Sequence, residues 1–379
     1  MNEVKADSLI SREDTKLIKG IAIGLMLMHH LWGFPDRIPG ELKYIFTIFE
    51  QSSIGYFGAF GKICVSMFFF IGGYGTYLSY RGKEYDIIGR LKKLYISYWK
   101  VFVVFIPIAF LFFANQSAYC ADEAIWSRYT LFSWLECLGN FTGMSISYNR
   151  EWWFLPSYVF ALISFPLVRA IAQKHPPRTN IFLVILASIL VTNCLPAIGN
   201  VETLGILNNN FLYSHIICQA APYISSFWMG IAVAKDGLLD RLQRALSNNH
   251  MLSPLMDIGI WCTVIFLRQS TIGDSIDFIY IPFLIITSLD LLKRLLLVKK
   301  MIGAIGKQST NMWLIHSFLC YYFYSTAKII AAPRWAILSL ILLIALTYGV
   351  SMILSQFWSM LYKVCHRIMI VYNEAGKSE

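Results

Sequence analysis

The sequence predicts an all-α, polytopic integral membrane protein with about ten transmembrane helices and both termini in the cytoplasm. Three observations predict this fold class. Hydrophobic residues make up 57% of the chain and charged residues 14%, against roughly half and a quarter in ordinary globular proteins. Apolar runs near the ~20 residues that a membrane-spanning helix needs recur along the whole chain. Basic residues gather in alternate connections between these runs, as the positive-inside rule describes.

The N-terminal segment, residues 1–16, is polar, and no signal-cleavage site precedes the first apolar run. We therefore expect the first helix to remain as an uncleaved anchor. Ser11 and Asp14 have the spacing of a capping box, which predicts that this helix begins at the membrane surface. Gly20 and Gly24 form a small-xxx-small pair that predicts close contact with another helix.

The apolar runs predict ten spans, at 17–34, 57–80, 95–115, 153–172, 181–198, 214–234, 252–268, 276–292, 309–330 and 335–362. An even number of spans places both termini on the same side of the membrane. We interpret the chain, residues 1–379, as a single membrane domain. Its transmembrane core, 17–362, lies between a cytoplasmic N-terminal segment, 1–16, and a cytoplasmic tail, 363–379.

The distribution of the basic residues sets the orientation. Of the 32 Lys and Arg residues, 23 fall in the terminal segments or in connections on the same side, and seven fall in connections on the other side. The other two, Lys62 and Lys100, lie within or beside spans. The positive-inside rule then places both termini in the cytoplasm. The net charge of +10 is mostly a consequence of topology, which excludes nucleic acid as a partner. The eight cysteines lack metal-ligand spacing, so we expect neither a disulfide framework nor a metal site.

The longest outer connection, about 116–152, carries several aromatic residues and the small-residue run GNFTGMS. We expect a re-entrant or surface helix in it. The chain has no internal repeat and so lacks the inverted-repeat pattern of many transporters.

Two histidines lie at matched depth in different spans. His30 follows Lys19 by eleven residues, which is ~16 Å along a helix and about half of a ~30 Å hydrocarbon layer. Eleven residues also return a helix to within about 20° of the same face, whereas His29 points elsewhere. His316 follows Lys307 by nine residues, ~13 Å along a helix. Ionisable groups at this depth usually face a functional cavity. The alternative, which we keep for His29, is a hydrogen bond to a neighbouring helix and no further role.

Several segments carry further patterns: FFFIGGY (68–74), RLKK (90–93), EWWFLPSYVF (151–160), FWMGIAV (227–233) and IGKQSTNMWLIH (305–316). Together with the spacing of Lys19 and His30, they resemble in order the motifs of the membrane acyltransferase-3 family, in its stand-alone form without an SGNH domain. The resemblance covers residues 15 to 350. Two positions depart from it, since Gly72 replaces a serine and Lys93 replaces the second arginine of an R-x-x-R motif.

The resemblance implies an integral-membrane O-acyltransferase of the cell (cytoplasmic) membrane. Such an enzyme moves an acyl group, usually acetyl from acetyl-CoA, to a hydroxyl of a surface polysaccharide or lipid-linked glycan. Acetyl-CoA would be a co-substrate, with no bound cofactor. The reaction needs a general base, and the neutral form of histidine suits this role. His30 is the candidate base. His316, the second catalytic candidate, could orient His30, bind the acceptor or stabilise the oxyanion.

The resemblance also indicates binding residues. Lys19, Arg90 and Lys93 occupy motif positions on the cytoplasmic side, where charge-assisted bonds could hold the phosphates of acyl-CoA. The alternative for each is the ordinary positive-inside excess. Arg150, Glu151 and Trp153, near the outer end of the fourth span, are the acceptor-side candidates, although an interfacial aromatic belt explains the tryptophan equally well.

Two other classes of function remain open at this point. A transporter or flippase for an envelope glycan or its precursor would also bury histidines and follow the positive-inside rule. Binding of acetyl-CoA would distinguish the enzyme from it. A structural scaffold in an envelope assembly would keep its function when His30 is changed to alanine.

Overall fold

The protein is described here from a computed structural model, over residues 10–48, 51–114, 128–210, 212–248, 253–270 and 273–375. Within these ranges the chain is almost wholly helical, apart from a two-stranded antiparallel ribbon, β1 Thr47–Ile48 and β2 Gln51–Ser52. The helices are α1 Arg12–Trp32, α2 Ser53–Gly61, α3 Ile63–Ser79, α4 Ile87–Phe112, α5 Trp134–Thr142, α6 Phe154–Lys174, α7 Pro177–Ile198, α8 Cys218–Asp236, α9 Leu238–Asn248, α10 Pro254–Ser270, α11 Asp277–Arg294, α12 Leu296–Lys307, α13 Ser309–Ser317, α14 Tyr324–Ala331 and α15 Ala336–Ala375.

Over the described ranges, seven helical segments are long and apolar enough to cross a membrane: Ser53–Ser79, Ile87–Phe112, Arg150–Lys174, Pro177–Ile198, Leu212–Asp236, Asp274–Arg294 and Ala336–Met369. They make the chain an all-helical, polytopic membrane protein. The other three expected spans coincide with α1, with the 17-residue α10, and with α13 and α14, which a π-helical turn at Phe318–Tyr322 separates. The full set of ten spans and the orientation stay predictions.

Two connections differ in detail from the expectations. The helix expected within 116–152 is α5, and the first part of that connection, 115–127, lies outside the described residues. The last helix, α15, continues to Ala375, thirteen residues past the expected end of the span at 362. No glycine or proline occurs between Gly349 and Gly376, so nothing in the chain stops the helix at the membrane surface.

Helix α1 begins with the expected capping box. The Ser11 side chain accepts from the Asp14 backbone N–H at 3.1 Å, and the Asp14 carboxylate accepts from the Ser11 backbone N–H at 3.0 Å. The expected close helix contact is made by Gly20, where a Cβ would overlap the backbone carbonyl of Ile302 in α12. Gly24 has open space at the same position, so only half of the small-xxx-small pair is a contact.

Helices α3 and α8 cross through a second glycine contact. A Cβ on Gly73 would overlap the carbonyl oxygen of Phe227, and a Cβ on Gly230 would overlap the carbonyl oxygen of Phe70. Both phenylalanines are fully buried. The two segments FFFIGGY and FWMGIAV therefore meet backbone to backbone, which fixes α3 as a rigid wall of the interior.

Candidate active site

A cavity of about 1350 Å³ runs through the helical bundle. Its walls come mainly from α1, α3, α4, α6, α8 and α13. Lys19, in the second turn of α1, and Arg90, in the first turn of α4, lie near one end. Glu151 and Arg37 lie near the other end, at the start of α6 and after the end of α1. We call these the basic end and the Glu151 end. Since the lining helices run the length of the bundle, the cavity connects its two ends.

The two histidines at matched depth meet in this cavity. The ring centres of His30 and His316 are 4.5 Å apart, and both residues line the cavity wall. His30 lies in the last turn of α1 and His316 in the last turn of α13. Trp152 links the segment before α6 to α13, because its indole N–H donates to the carbonyl of Leu314 at 3.0 Å. The sequence predicted matched depth for the two histidines, and the structure adds that they are neighbours in one cavity.

Hydrogen bonds fix the tautomers of both rings. His316 Nδ1 lies 2.6 Å from the carbonyl oxygen of Trp313, and a carbonyl can only accept, so Nδ1 carries the proton. His30 Nδ1 lies 3.2 Å from the Tyr321 hydroxyl, which donates its own proton to the backbone carbonyl of His30. The hydroxyl must then accept from Nδ1. In both neutral rings Nε2 is left as a proton acceptor, and that of His316 is buried without a partner in the described chain.

His29 also lines the cavity, but it is bound differently. Its Nδ1 lies 2.7 Å from the carbonyl oxygen of Gly58 in α2, so this ring donates across a helix contact. The contact is tight, because a Cβ on Gly58 would lie 2.6 Å from the backbone nitrogen of Gly33. His29 differs from His30 in donating a hydrogen bond to a neighbouring helix. It does not differ by pointing away from the cavity, as the sequence predicted.

The basic end holds two of the three residues predicted to bind a donor. Asp86 caps α4, since its side chain accepts from the backbone N–H of Gly89 at 2.8 Å, and this places Arg90 in the first turn. The Arg90 guanidinium lies beside the Tyr158 hydroxyl, and its charge acts on Lys19. Neither cation has a carboxylate partner in the described ranges.

Lys93, the third donor-binding candidate, is exposed and does not line the cavity. It lies three residues after Arg90 and therefore nearly one turn further along α4. The basic motif thus contributes its first residue to the cavity and not its last.

All three acceptor-side candidates line the Glu151 end. Glu151 is only 6% exposed and accepts from the Arg37 guanidinium at 3.1 Å and from the Tyr322 hydroxyl. Arg150 and Trp153 flank it on the same short helical turn. A buried carboxylate is costly unless it is paired, and here two donors compensate it beside the histidines.

Sequence reasoning missed Tyr321 and Arg37. Tyr321 is 291 residues from His30 along the chain, and it lies in the π-helical turn Phe318–Tyr322, where helical spacing from His316 does not give its direction. Arg37 follows α1, and its guanidinium stacks 4.5 Å from the ring centre of Phe34. Its only sequence signal is its position seven residues after His30.

No curated protein and no solved structure matches the chain. A family model for an acyltransferase domain matches residues 14–356 of 379. The match includes both histidines of the pair, both cations of the basic end and the residues of the Glu151 end. This chain belongs to the acyltransferase-3 family and is a membrane acyltransferase.

Proposed function

We propose that the protein transfers an acyl group, which we take to be acetyl, from acyl-CoA to a hydroxyl of a cell-surface or exported carbohydrate. The observation that carries this proposal is the single cavity that joins unpaired cations, a pair of histidines and a paired carboxylate. These are the groups needed, in order, to hold an anionic donor, to move a proton and to bind a polar acceptor.

The basic end suits the phosphates of the donor. Lys19 and Arg90 place two positive charges at one cavity mouth, and an anionic ligand offsets their mutual repulsion. From there, Gly72 and Gly75 line the wall of α3 on the way inward, and nothing lies within 4 Å of the Cβ position of Gly75. A Cβ on Gly72 would lie 2.6 Å from the Tyr158 hydroxyl, so the room for a narrow, extended chain such as the arm that carries the thioester lies at Gly75.

The reaction then follows from the state of the rings. His30 Nε2 takes the proton of the acceptor hydroxyl as the oxygen attacks the thioester carbonyl carbon, which becomes tetrahedral. The C–S bond breaks, the ester remains on the acceptor, and the imidazolium returns the proton to the leaving thiolate. Tyr321 holds the Nδ1 proton throughout, so the ring presents the same nitrogen in both steps.

His316 acts beside this base. Because its Nδ1 proton is donated to the Trp313 carbonyl, its neutral Nε2 can accept a hydrogen bond and cannot donate one to an oxyanion. Its nearest ring neighbour in the cavity is His30. We therefore assign His316 the role of stabilising the imidazolium that forms on His30. At the Glu151 end, Glu151 and Arg150 offer hydrogen bonds to sugar hydroxyls and Trp153 offers a ring face.

This function requires the basic end to face the cytoplasm, where the donor is made, and the Glu151 end to face outward. A cysteine placed at exposed position 83 should resist a membrane-impermeant thiol reagent in intact cells, whereas one at exposed position 135 should react. The reverse labelling would contradict the orientation.

The function itself is tested with purified protein, [¹⁴C]acetyl-CoA and a glycan extract from cells that lack the gene. Radiolabel should enter the glycan as an alkali-labile ester, and mass spectrometry should find the same acetyl groups only in cells that carry the gene. Tight binding of the glycan without binding of acetyl-CoA would instead indicate a transporter.

A further inference from the structure

A cluster of ionic side chains adjoins the cavity between α2, α3, α10 and α11. Asp274 accepts from Lys62 at 2.6 Å, from the Tyr223 hydroxyl at 3.0 Å and from the Arg268 guanidinium. Arg268 also donates to Asp277 at 2.7 Å. Two cations and two carboxylates thus form a balanced group inside an apolar bundle, where any unpaired member would be costly.

The inner half of this cluster is structural. Arg268 is 4% exposed and Asp277 is fully buried. Arg268 donates to the Ala59 carbonyl at 3.1 Å, and Asp277 accepts from Ser66 at 3.0 Å. These bonds tie α10 and α11 to α2 and α3, and neither residue lines the cavity.

The outer half faces the cavity. Lys62 and Asp274 line its wall, and the Lys62 side chain is 41% exposed. The break between α2 and α3 falls at Lys62. An ammonium group has three N–H donors. One goes to Asp274, and the ring of Tyr223 lies 5.9 Å away. The other two have no hydrogen-bond partner among the described residues and are available to a ligand in the cavity.

Trp153 and Lys62 both lie near the ring of Tyr223 at the cavity wall. The ring centre of Trp153 lies 5.6 Å from that of Tyr223, the same ring that neighbours Lys62. Trp153 is partly exposed to the cavity, and its indole N–H makes no hydrogen bond within the described chain. Tyr223 itself is only 3% exposed and also lines the cavity, in contact with both groups.

We propose that Lys62, Asp274 and Trp153 form a subsite that binds a sugar ring of the acceptor. The inference rests on the proposed function and assigns it a binding surface. A sugar ring offers an apolar face, which an indole covers, and hydroxyls, which accept from ammonium and indole N–H groups. Three of about four lone-pair sites on the Asp274 carboxylate are occupied, so it can accept from one hydroxyl. The balanced charge of the cluster suits an uncharged sugar.

The test compares Lys62→Met and Trp153→Leu with Lys43→Met, a control at an exposed lysine that does not line the cavity. Initial rates of [¹⁴C]acetyl transfer are measured against the concentration of glycan extracted from cells lacking the gene, and separately against acetyl-CoA. Lys62→Met should raise the KM for the glycan by about tenfold or more, the loss expected for a hydrogen bond from a charged donor. Trp153→Leu should raise it by about 2- to 10-fold, the loss expected for a hydrogen bond from a neutral donor. The KM for acetyl-CoA should stay within about twofold of the wild type, and Lys62→Arg should restore most of the glycan affinity.

Each outcome decides something. An unchanged KM for the glycan, or an equal rise in both KM values, would overturn the subsite while wild-type transfer upholds the proposed function. No acetyl transfer by the wild type would refute the function and the subsite together. Asp274 keeps its bonds to Arg268 and Tyr223 in Lys62→Met, so this variant should fold; if it does not accumulate, Trp153→Leu carries the same comparison.

Discussion

Alanine substitutions of His30 and of His29 should differ in their effects: the first should affect catalysis and the second stability. In His30→Ala the base is lost, which typically costs ~10²–10⁴-fold in rate, or about 3–5 kcal/mol in the activation barrier. In His29→Ala the bond from Nδ1 to the Gly58 carbonyl is lost, which costs about 1 kcal/mol. We expect His30→Ala to be inactive and normally stable, and His29→Ala to be active and less stable.

The measurement is acetyl transfer at matched protein amounts, together with the thermal midpoint of each purified variant in detergent. His29→Gln offers a control, because its side-chain amide can still donate towards Gly58. Equal loss of rate in both alanine variants at equal stability would refute the assignment, as would full activity in His30→Ala. That second result would instead support a scaffold with a structural histidine.

Three further outcomes follow from the geometry. Arg90→Ala should weaken acetyl-CoA binding by about tenfold or more in equilibrium binding, because a charged hydrogen bond to phosphate contributes ~1.5–3 kcal/mol; unchanged affinity would remove that role. Tyr321→Phe should lower kcat by about 2- to 10-fold, the value of one neutral hydrogen bond, with the KM for acetyl-CoA unaltered; a change in KM alone would contradict its role in holding His30. Gly230→Ala should destabilise the protein by about 1–3 kcal/mol, since its Cβ would overlap the Phe70 carbonyl, whereas Gly24→Ala should be tolerated; equal thermal midpoints would disprove the crossing.

The spacing of polar residues along single helices predicted the central part of the site. The interval from Lys19 to His30 and the depth of His316 depend only on helix rise and rotation, so the sequence determines them before any packing is known. The sequence predicted comparable depth for the two rings, and the structure adds that their centres are only 4.5 Å apart. Helix rotation also predicted that His29 points away from the site, but His29 lines the cavity as well. The cavity is wider than one face of α1, so two adjacent residues of the helix can both line it.

Contacts between distant segments could not be predicted in this way. The bond between Tyr321 and His30 joins a π-helical turn to the end of α1, and no local periodicity encodes it. The close approach at Gly20 and the open space at Gly24 show the same limit, since a glycine pair marks a possible contact and the partner helix decides which member is used. Orientation within a bundle is a property of packing.

Basic residues on the two sides of the membrane differ in how strongly they indicate a functional site. This difference explains why Lys93 was a candidate without structural support and why Arg37 was overlooked. On the side where the positive-inside rule favours them, a lysine such as Lys93 needs no function, and it is exposed outside the cavity. In the predicted topology Arg37 lies in a connection on the other side and Lys62 lies within a span, where the rule does not favour them, and each has a carboxylate partner at the cavity wall. A charge inside the membrane is less costly where it is paired or bound. A basic residue that departs from the positive-inside pattern is therefore a stronger indication of a functional site than one that follows it.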